Sequence, residues 1–252
     1  MTPLPCAIQA ASDGKVYFAN GVRNQIGSID PSTKKIELYQ SPSPAGNLNP
    51  FNDITVGPDQ AIWFTQTSAA AIGRFDLTTK TFTDIPIPTP AAFPVGIFAA
   101  SDGGVWFTEA LGGKIGRIDI PTRHVSEYPI PTPAGTPFVV RAETAGRYVW
   151  FTEIAAGKVG RIDLATKQIV EYPMPTPAST PTAVCASAAG YIYVSHATTD
   201  TLSKLDPRTG QVVEIPLPDS VGSVPGELNC GPGNAVWLVQ VTANRVLRYS
   251  LD

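Results

Sequence analysis

The chain has 252 residues with 25 Pro and 22 Gly, 43% hydrophobic and 15% charged residues, and a formal net charge of −3. That balance describes a loop-rich all-β protein and excludes a disordered chain, which lacks the apolar content to bury a core. The absence of a Lys/Arg cluster argues against a nucleic-acid partner, and no apolar stretch approaches the ~18 residues of a membrane span.

Taken in chain order, a motif built on Trp-Phe-Thr-Glu recurs at Tyr17, Trp63, Trp106, Trp150, Tyr193 and Trp237, a spacing of 43 to 46 residues. A unit of this length is too small to bury both its faces alone, and stacking units around an axis buries them between neighbours. The fourth unit is read in full. Strand A runs through Phe138-Val139-Val140, strand B through Tyr148 to Glu153, strand C through Lys158 to Asp163 and strand D through Gln168 to Pro173. Each run is short, rich in β-branched and aromatic residues, and bounded by Gly, Pro, Asp or Ala-rich turns. The expected fold is all-β, a six-bladed β-propeller of four-stranded antiparallel blades occupying residues 1–252 as a single domain.

The first unit opens with strand A at Cys6-Ala7-Ile8, whereas the last stops after strand C at Val246 to Tyr249. Only Met1 to Pro5 could supply the missing outer strand, and two prolines in five residues make a poor strand. The sixth blade is therefore expected to have three strands or a vestigial fourth. Met1 leads straight into the first repeat without a charged-then-apolar leader, so a cytoplasmic location is expected. Cys6, Cys185 and Cys230 form no metal spacing, cannot all pair, and are expected to be reduced, partly buried thiols.

Repeated residues belong to the scaffold. Asp30, Asp76, Asp119, Asp163 and Asp206 each end a C strand and are each followed three residues later by Thr. They are expected to accept hydrogen bonds from backbone amides of the C to D turn. Gly27, Gly73, Gly116 and Gly160 are expected to admit a bulky neighbour. The Pro-rich stretches, such as Ile85 to Pro90, recur once per unit and are D to A crossovers.

Trp106-Phe107-Thr108-Glu109, followed by Lys114 to Asp119 and Glu127-Tyr128-Pro129 and repeated nearly verbatim from Trp150 to Pro173, resembles the virginiamycin B lyase (streptogramin lyase) family along essentially the whole chain. The resemblance implies a propeller, seven-bladed in that family, that linearises a cyclic depsipeptide by eliminating across an ester. It implies Mg²⁺ and a catalytic His in a Glu-x-His arrangement. At the matching places this chain has Glu109-Ala110-Leu111 and Glu153-Ile154-Ala155, and His124 and His196 do not restore the motif. No residue of that family's site is carried over.

In a propeller, A-strand starts and B-strand ends gather around one mouth of the central channel. The B-strand ends are Asn20, Gln66, Glu109, Glu153, His196 and Gln240; Asp53 and Glu227 lie near A-strand starts, and Arg141 lies further along with Gln9, Thr55, Phe98, Cys185 and Asn229 as its equivalents. A scaffold position repeats, whereas a site for an asymmetric ligand must deviate. His196 in place of Glu is the largest deviation, a proton carrier that Glu109, Glu153 or Glu227 could hold. Arg141 is the second, a guanidinium able to neutralise carboxylates or bind an oxyanion. His196, Glu153, Glu109 and Arg141 are therefore the catalytic candidates. Asn20, Gln66, Gln240, Phe98, Phe138, Asp53 and Glu227 are the candidate substrate-binding set, with Leu111 and Val22 adding apolar wall.

No metal ligands are assigned and no cofactor is expected. Mg²⁺ is retained only as an alternative in which Asp53, Glu227, Glu109 and Glu153 converge. The expected partner is a small hydrophobic molecule, with the oligomeric state left open. The expected function is a lyase or cyclase of natural-product metabolism acting by elimination or ring closure, a hetero-Diels–Alder step included, because such steps need mainly orientation and hydrogen-bond polarisation. The alternatives are a non-catalytic ligand carrier and a protein-interaction propeller.

Overall fold

Alternation of apolar and polar residues over five or six positions, punctuated by turn residues, sets strands almost throughout the chain. The computed structural model describes residues 5–43, 53–218, 225–231 and 233–251. The chain forms two compact units, Met1–Pro129 and Ile130–Asp252.

The first unit contains three sheets. They are β1 (Pro5–Ala10), β2 (Val16–Asn20), β3 (Gln25–Ile29) and β4 (Ile36–Gln40); β5 (Ile54–Val56), β6 (Ile62–Gln66), β7 (Ala71–Phe75) and β8 (Phe82–Pro86); and β9 (Pro94–Ala99), β10 (Gly104–Glu109), β11 (Lys114–Asp119) and β12 (Val125–Pro129). The second unit contains β13 (Pro137–Thr144), β14 (Tyr148–Glu153), β15 (Lys158–Asp163) and β16 (Ile169–Pro173); β17 (Pro181–Ala186), β18 (Ile192–His196), β19 (Thr201–Leu205) and β20 (Val212–Pro216); and β21 (Pro225–Gly231), β22 (Ala235–Gln240) and β23 (Arg245–Ser250). Every sheet is antiparallel with its strands in chain order, and the last has three strands where the others have four. This is the strand content and order of a six-bladed β-propeller with a three-stranded last blade. Met1 to Leu4, considered above for a fourth strand, lie outside the described residues.

Strand B carries the core because its alternate side chains enter both faces of the blade. Tyr17 packs with Ile54, Ile62, Phe64 and Phe75 of the following blade, and Trp150 likewise with Val184, Ile192, Val194 and Leu205 of the blade after it. The buried indoles keep their N–H satisfied: Trp63 donates to Asp59 at 2.9 Å, Trp106 to Asp102 at 3.1 Å and Trp150 to Thr144 Oγ1 at 2.9 Å. Arg74 and Arg117 close the first two of these, with Nε 2.7 and 2.8 Å from the same Asp59 and Asp102.

The C to D turns behave as the repeat predicts. Asp30 accepts from the amides of Ser32 and Thr33, Asp76 from Thr78 and Thr79, and Asp163 from Ala165 and Thr166, all within 3.1 Å. Hydrogen bonds to the ionised form, from the Ser32 hydroxyl before the amides at Asp30, from the Thr79 and Thr78 amides at Asp76 and from Arg147 before the amides at Asp163, hold all three carboxyls down at about 2. The glycines of strand C also have their predicted cause. A Cβ on Gly27, Gly73, Gly116 or Gly160 would sit 2.1 Å from the Cζ of Phe18, Phe64, Phe107 or Phe151.

One expectation is corrected. Cys185 and Cys230 are not reduced thiols but form a disulfide, with Cα atoms 5.5 Å apart and a sequence separation of 45. The separation is one repeat length, so the two cysteines occupy near-equivalent positions on the adjacent strands β17 and β21. The sequence offers no metal spacing and an odd cysteine; only the packing of neighbouring A strands brings this pair within bonding reach.

Candidate functional site

The ends of the B strands are uniformly polar but uniformly hidden. Asn20, Gln66, Glu109, Glu153, His196 and Gln240 are all buried. Their side chains lie on the Phe face of each blade and meet partners on strands C and D. Asn20 Nδ2 donates to Gln25 Oε1 at 2.9 Å, Gln66 Nε2 to Asp84 Oδ1 at 2.5 Å, and Arg245 Nε to Gln240 Oε1 at 2.5 Å.

Glu109 and Glu153 have no such partner on either carboxylate oxygen. Burial, with the charge of Glu127 second, pushes Glu109 up to about 7; burial, with Glu171 second, pushes Glu153 up to about 8. Both therefore retain their proton well into the neutral range. Beside each lies a clamp that ties strands C and D to the preceding crossover. Lys114 Nζ donates to Glu127 at 2.8 Å and to Thr89 Oγ1 at 2.6 Å, while the Thr89 amide donates to Glu127 at 2.9 Å. Lys158, Glu171 and Thr132 repeat it at 2.7, 2.6 and 2.8 Å.

The fifth blade departs from this pattern at several positions together. His196 replaces the acid, and Nε2 shares a 2.7 Å hydrogen bond with Ser203 Oγ. Ser203 stands where the first four blades have glycine, and Val194 opposite it stands where they have phenylalanine. The shorter valine leaves the space in which the serine hydroxyl reaches the imidazole. Burial drops His196 to about 4, so the ring is neutral at physiological pH, and Nδ1 has no hydrogen-bond partner. Reading single positions missed Ser203. The signal was present in Leu202-Ser203-Lys204, the one C-strand centre where Ser replaces the Gly of Ile-Gly-Arg.

Arg141 is placed differently. The A strands β1, β9, β17 and β21 each have one register shift near their proline, but β13 has two, the second between Val140 and Glu143. The extra residue forms a bulge at Arg141-Ala142, and such bulges re-aim side chains. Arg141 Nη1 reaches Glu227 Oε2 at 2.5 Å. Arg141 lies on β13 and Glu227 on β21, and β17 packs between those two strands. The pair is thus held across three neighbouring A strands, and both side chains retain solvent access, 26% and 52%.

The other candidates are scattered in role. Asp53 is buried and accepts the amide of Ile54 at 2.9 Å, a local turn bond. Phe138 packs against the cluster around Trp150, and Phe98 is half-buried opposite Trp106. Leu111 is exposed, and the side chain of Val22 lies outside the described residues. An apolar cavity of about 80 Å³ lined by Leu202, Leu217, Val236 and Leu247 is too small for a drug-sized ligand. Among the described residues no three His, Cys, Asp or Glu side chains converge. No step below runs through a metal.

A profile of the Virginiamycin B lyase family matches residues 2–205 and 122–252. The two matches overlap because a repeat chain can be laid on the same profile in more than one register. Selenomethionine-substituted virginiamycin B lyase from Staphylococcus aureus is 25% identical with a TM-score of 0.86, covering 98% of this chain and 84% of that one. A catalytically inactive form of the same lyase with quinupristin is 25% identical with a TM-score of 0.88, covering 99% and 85%. A streptogramin B lyase structure is 26% identical with a TM-score of 0.86, covering 99% and 84%. No match was found among curated proteins. On its repeats, its blades and a profile match that spans the chain, the protein belongs to the virginiamycin B lyase family.

Proposed function

We propose that the protein is a lyase- or cyclase-type enzyme acting on a small, largely apolar molecule that carries an ester or lactone carbonyl. The observation that carries this reading is the Arg141–Glu227 pair. It joins a cation and a carboxylate on the innermost strands of one unit, created by a bulge found in no other A strand among the described residues, and left open to solvent.

In the reading, Arg141 binds the substrate carbonyl oxygen and stabilises negative charge developing on it. The carbon beside that carbonyl then becomes acidic, and Glu227 takes its proton. The electron pair forms a C=C bond as the β C–O bond breaks, and the leaving oxygen departs as a carboxylate, so no water is consumed. A ring closure would use the same carbonyl polarisation without the proton transfer. Glu109, Glu153 and His196 are placed in supporting roles, because substrate cannot touch groups with no exposed surface.

A non-catalytic ligand-binding propeller is the second reading, favoured by the locking of the imidazole of His196 against Ser203. Quinupristin is the first probe, since a related lyase was solved with it. The protein, Arg141→Ala and Glu227→Gln are incubated with quinupristin and related cyclic depsipeptides, with and without Mg²⁺. Products are followed by mass spectrometry and binding by calorimetry. Turnover lost in both variants supports the enzyme; binding without product supports the second reading; neither binding nor product overturns both.

A further inference from the structure

Strand C of blades 2, 3 and 4 carries an arginine opposite the anchor tryptophan, at Arg74, Arg117 and Arg161. In the first two the guanidinium meets carboxylates on two sides. One oxygen of Asp59 accepts the Trp63 indole N–H at 2.9 Å and the other accepts Arg74 Nε at 2.7 Å. Asp102 divides its oxygens in the same way between Trp106, at 3.1 Å, and Arg117 Nε, at 2.8 Å. The Asp that ends strand C adds a second carboxylate, Asp76 at 3.2 Å from Arg74 Nη1 and Asp119 at 3.9 Å from Arg117 Nη1.

Blade 4 keeps the arginine but denies it both acids. Its A to B turn offers Thr144, whose single hydroxyl accepts the Trp150 N–H at 2.9 Å and leaves no second oxygen for Arg161. The strand-end Asp163 is drawn instead to Arg147, with Nη2 2.7 Å from Oδ2. Arg161 meets rings where the others meet carboxylates: its guanidinium carbon stands 4.3 Å from the centroid of Tyr148, 5.6 Å from that of Trp150 and 5.5 Å from that of Tyr172. Stacking of this kind attracts the cation and holds the side chain, but it supplies no acceptor oxygen to the N–H groups. Nε is buried with no hydrogen-bond partner among the described residues. Arg161 as a whole is half-buried, next to a turn whose residues Ala145, Gly146 and Arg147 are exposed. Tyr148 therefore lies between two guanidiniums, with Arg147 5.0 Å from its centroid on top of Arg161, and the one carboxylate bonded to either is Asp163.

We propose that blade 4 carries an anion site in which Arg161, held by Tyr148, Trp150 and Tyr172, binds the carboxylate of a small organic acid. The ligand's carboxylate does for Arg161 what Asp59 and Asp102 do for Arg74 and Arg117. A planar carboxylate suits the site because a guanidinium presents parallel N–H groups to its two oxygens. The stacked side chain also has little rotamer freedom left to lose on binding. Every residue involved belongs to one blade of the second unit. Arg161 stands on β15, and β14 separates it from β13, which carries Arg141, so the site does not rest on the reaction proposed above.

The test follows the Nε–Hε NMR resonance of Arg161 in the full chain, assigned by its loss in Arg161→Lys. Sodium acetate and sodium benzoate are titrated at an ionic strength held constant with sodium chloride. A saturable shift with either carboxylate is expected, with none in the chloride series. Thr144→Asp restores the second oxygen from within the chain: the Arg161 resonance should move before any ligand is added, and acetate should bind about tenfold more weakly or less, the scale of one charge-assisted hydrogen bond. Thr144→Asn adds no charge and should bind as the wild type does. In a parallel series, acetate should raise the melting temperature of the wild type above the chloride control and fail to do so in Arg161→Gln. No saturable shift in the wild type overturns the proposal, because water alone then solvates Arg161. A melting-temperature gain that survives Arg161→Gln overturns it as well. Inorganic phosphate binding more tightly than either carboxylate overturns the assigned ligand class.

Discussion

The Phe and Gly pairs that hold strands B and C together can be tested by importing the fifth blade's solution into the fourth. In Gly160→Ala the new Cβ would start 2.1 Å from Phe151 Cζ, and both residues are buried. Carbon atoms rest about 3.5–4.0 Å apart, so the ring must retreat by roughly 1.5 Å into filled space. Overpacking of this kind costs about 1–3 kcal/mol, only slightly offset by the ~0.5 kcal/mol gained when a strand glycine is replaced. Phe151→Val alone opens a cavity and costs on the order of 2–3 kcal/mol. Combined as Phe151→Val/Gly160→Ser, the pair reproduces Val194 and Ser203, and the serine fills space the ring has left. The double variant should then be more stable than the sum of the single changes by about 1–2 kcal/mol, read from urea midpoints of Phe151→Val, Gly160→Ser and the combination. Additive losses would refute the claim that the blade 5 substitutions compensate one another.

Three further outcomes are expected. Glu153 binds its proton more tightly folded than unfolded, so its contribution to stability is complete below pH 4.5 and is lost as pH rises toward about 8, at up to ~1.4 kcal/mol per pH unit. Glu153→Gln should therefore flatten the decline in urea midpoint across that window, and an unchanged slope would remove the buried acid as its cause. His196 has the opposite sign: held down at about 4 from 6.5, it adds stability above pH 6.5 that is lost as pH falls toward 4. His196→Gln should lessen the acid-side loss in a series of melting curves, while a variant that follows the wild type would argue against a neutral buried imidazole. Finally, the loop of 45 residues closed by Cys185 and Cys230 is worth roughly 4 kcal/mol in the chain-entropy account. Reduction or Cys230→Ser should lower the melting temperature, and thiol titration of the denatured native protein should find Cys6 alone free; three free thiols would refute the bond.

The propeller was legible because each unit repeats the same local rules. Trp106-Phe107-Thr108-Glu109 alternates between two faces, Asp119 caps a turn with its own carboxylate, and Gly116 yields to Phe107. Each rule acts within a few residues or within one hairpin, so one blade read correctly predicts the others. The missing outer strand of the last blade was legible for the same reason, as a repeat that stops after strand C.

The candidate site was legible only as a list of deviations. His196 and Arg141 both stood out against their equivalents, yet packing gave them opposite environments. His196 ends a B strand whose alternation turns its side chain onto the Phe face, where Ser203 and the loss of solvent hold it neutral. Arg141 sits on a bulge that no turn signal announces, and the bulge aims it at Glu227, 86 residues away. The acids Glu109 and Glu153 match their neighbours in sequence and acquire raised proton affinity only from burial beside Glu127 and Glu171.

By itself the sequence determined the repeat, the strand order within each blade, the turn chemistry and the family, because these follow from periodicity and nearest-neighbour sterics. The tertiary structure alone decided which polar groups keep their water and which two cysteines meet. Those outcomes depend on contacts between residues one or more repeats apart, and no local pattern encodes the distance, burial or field such contacts create.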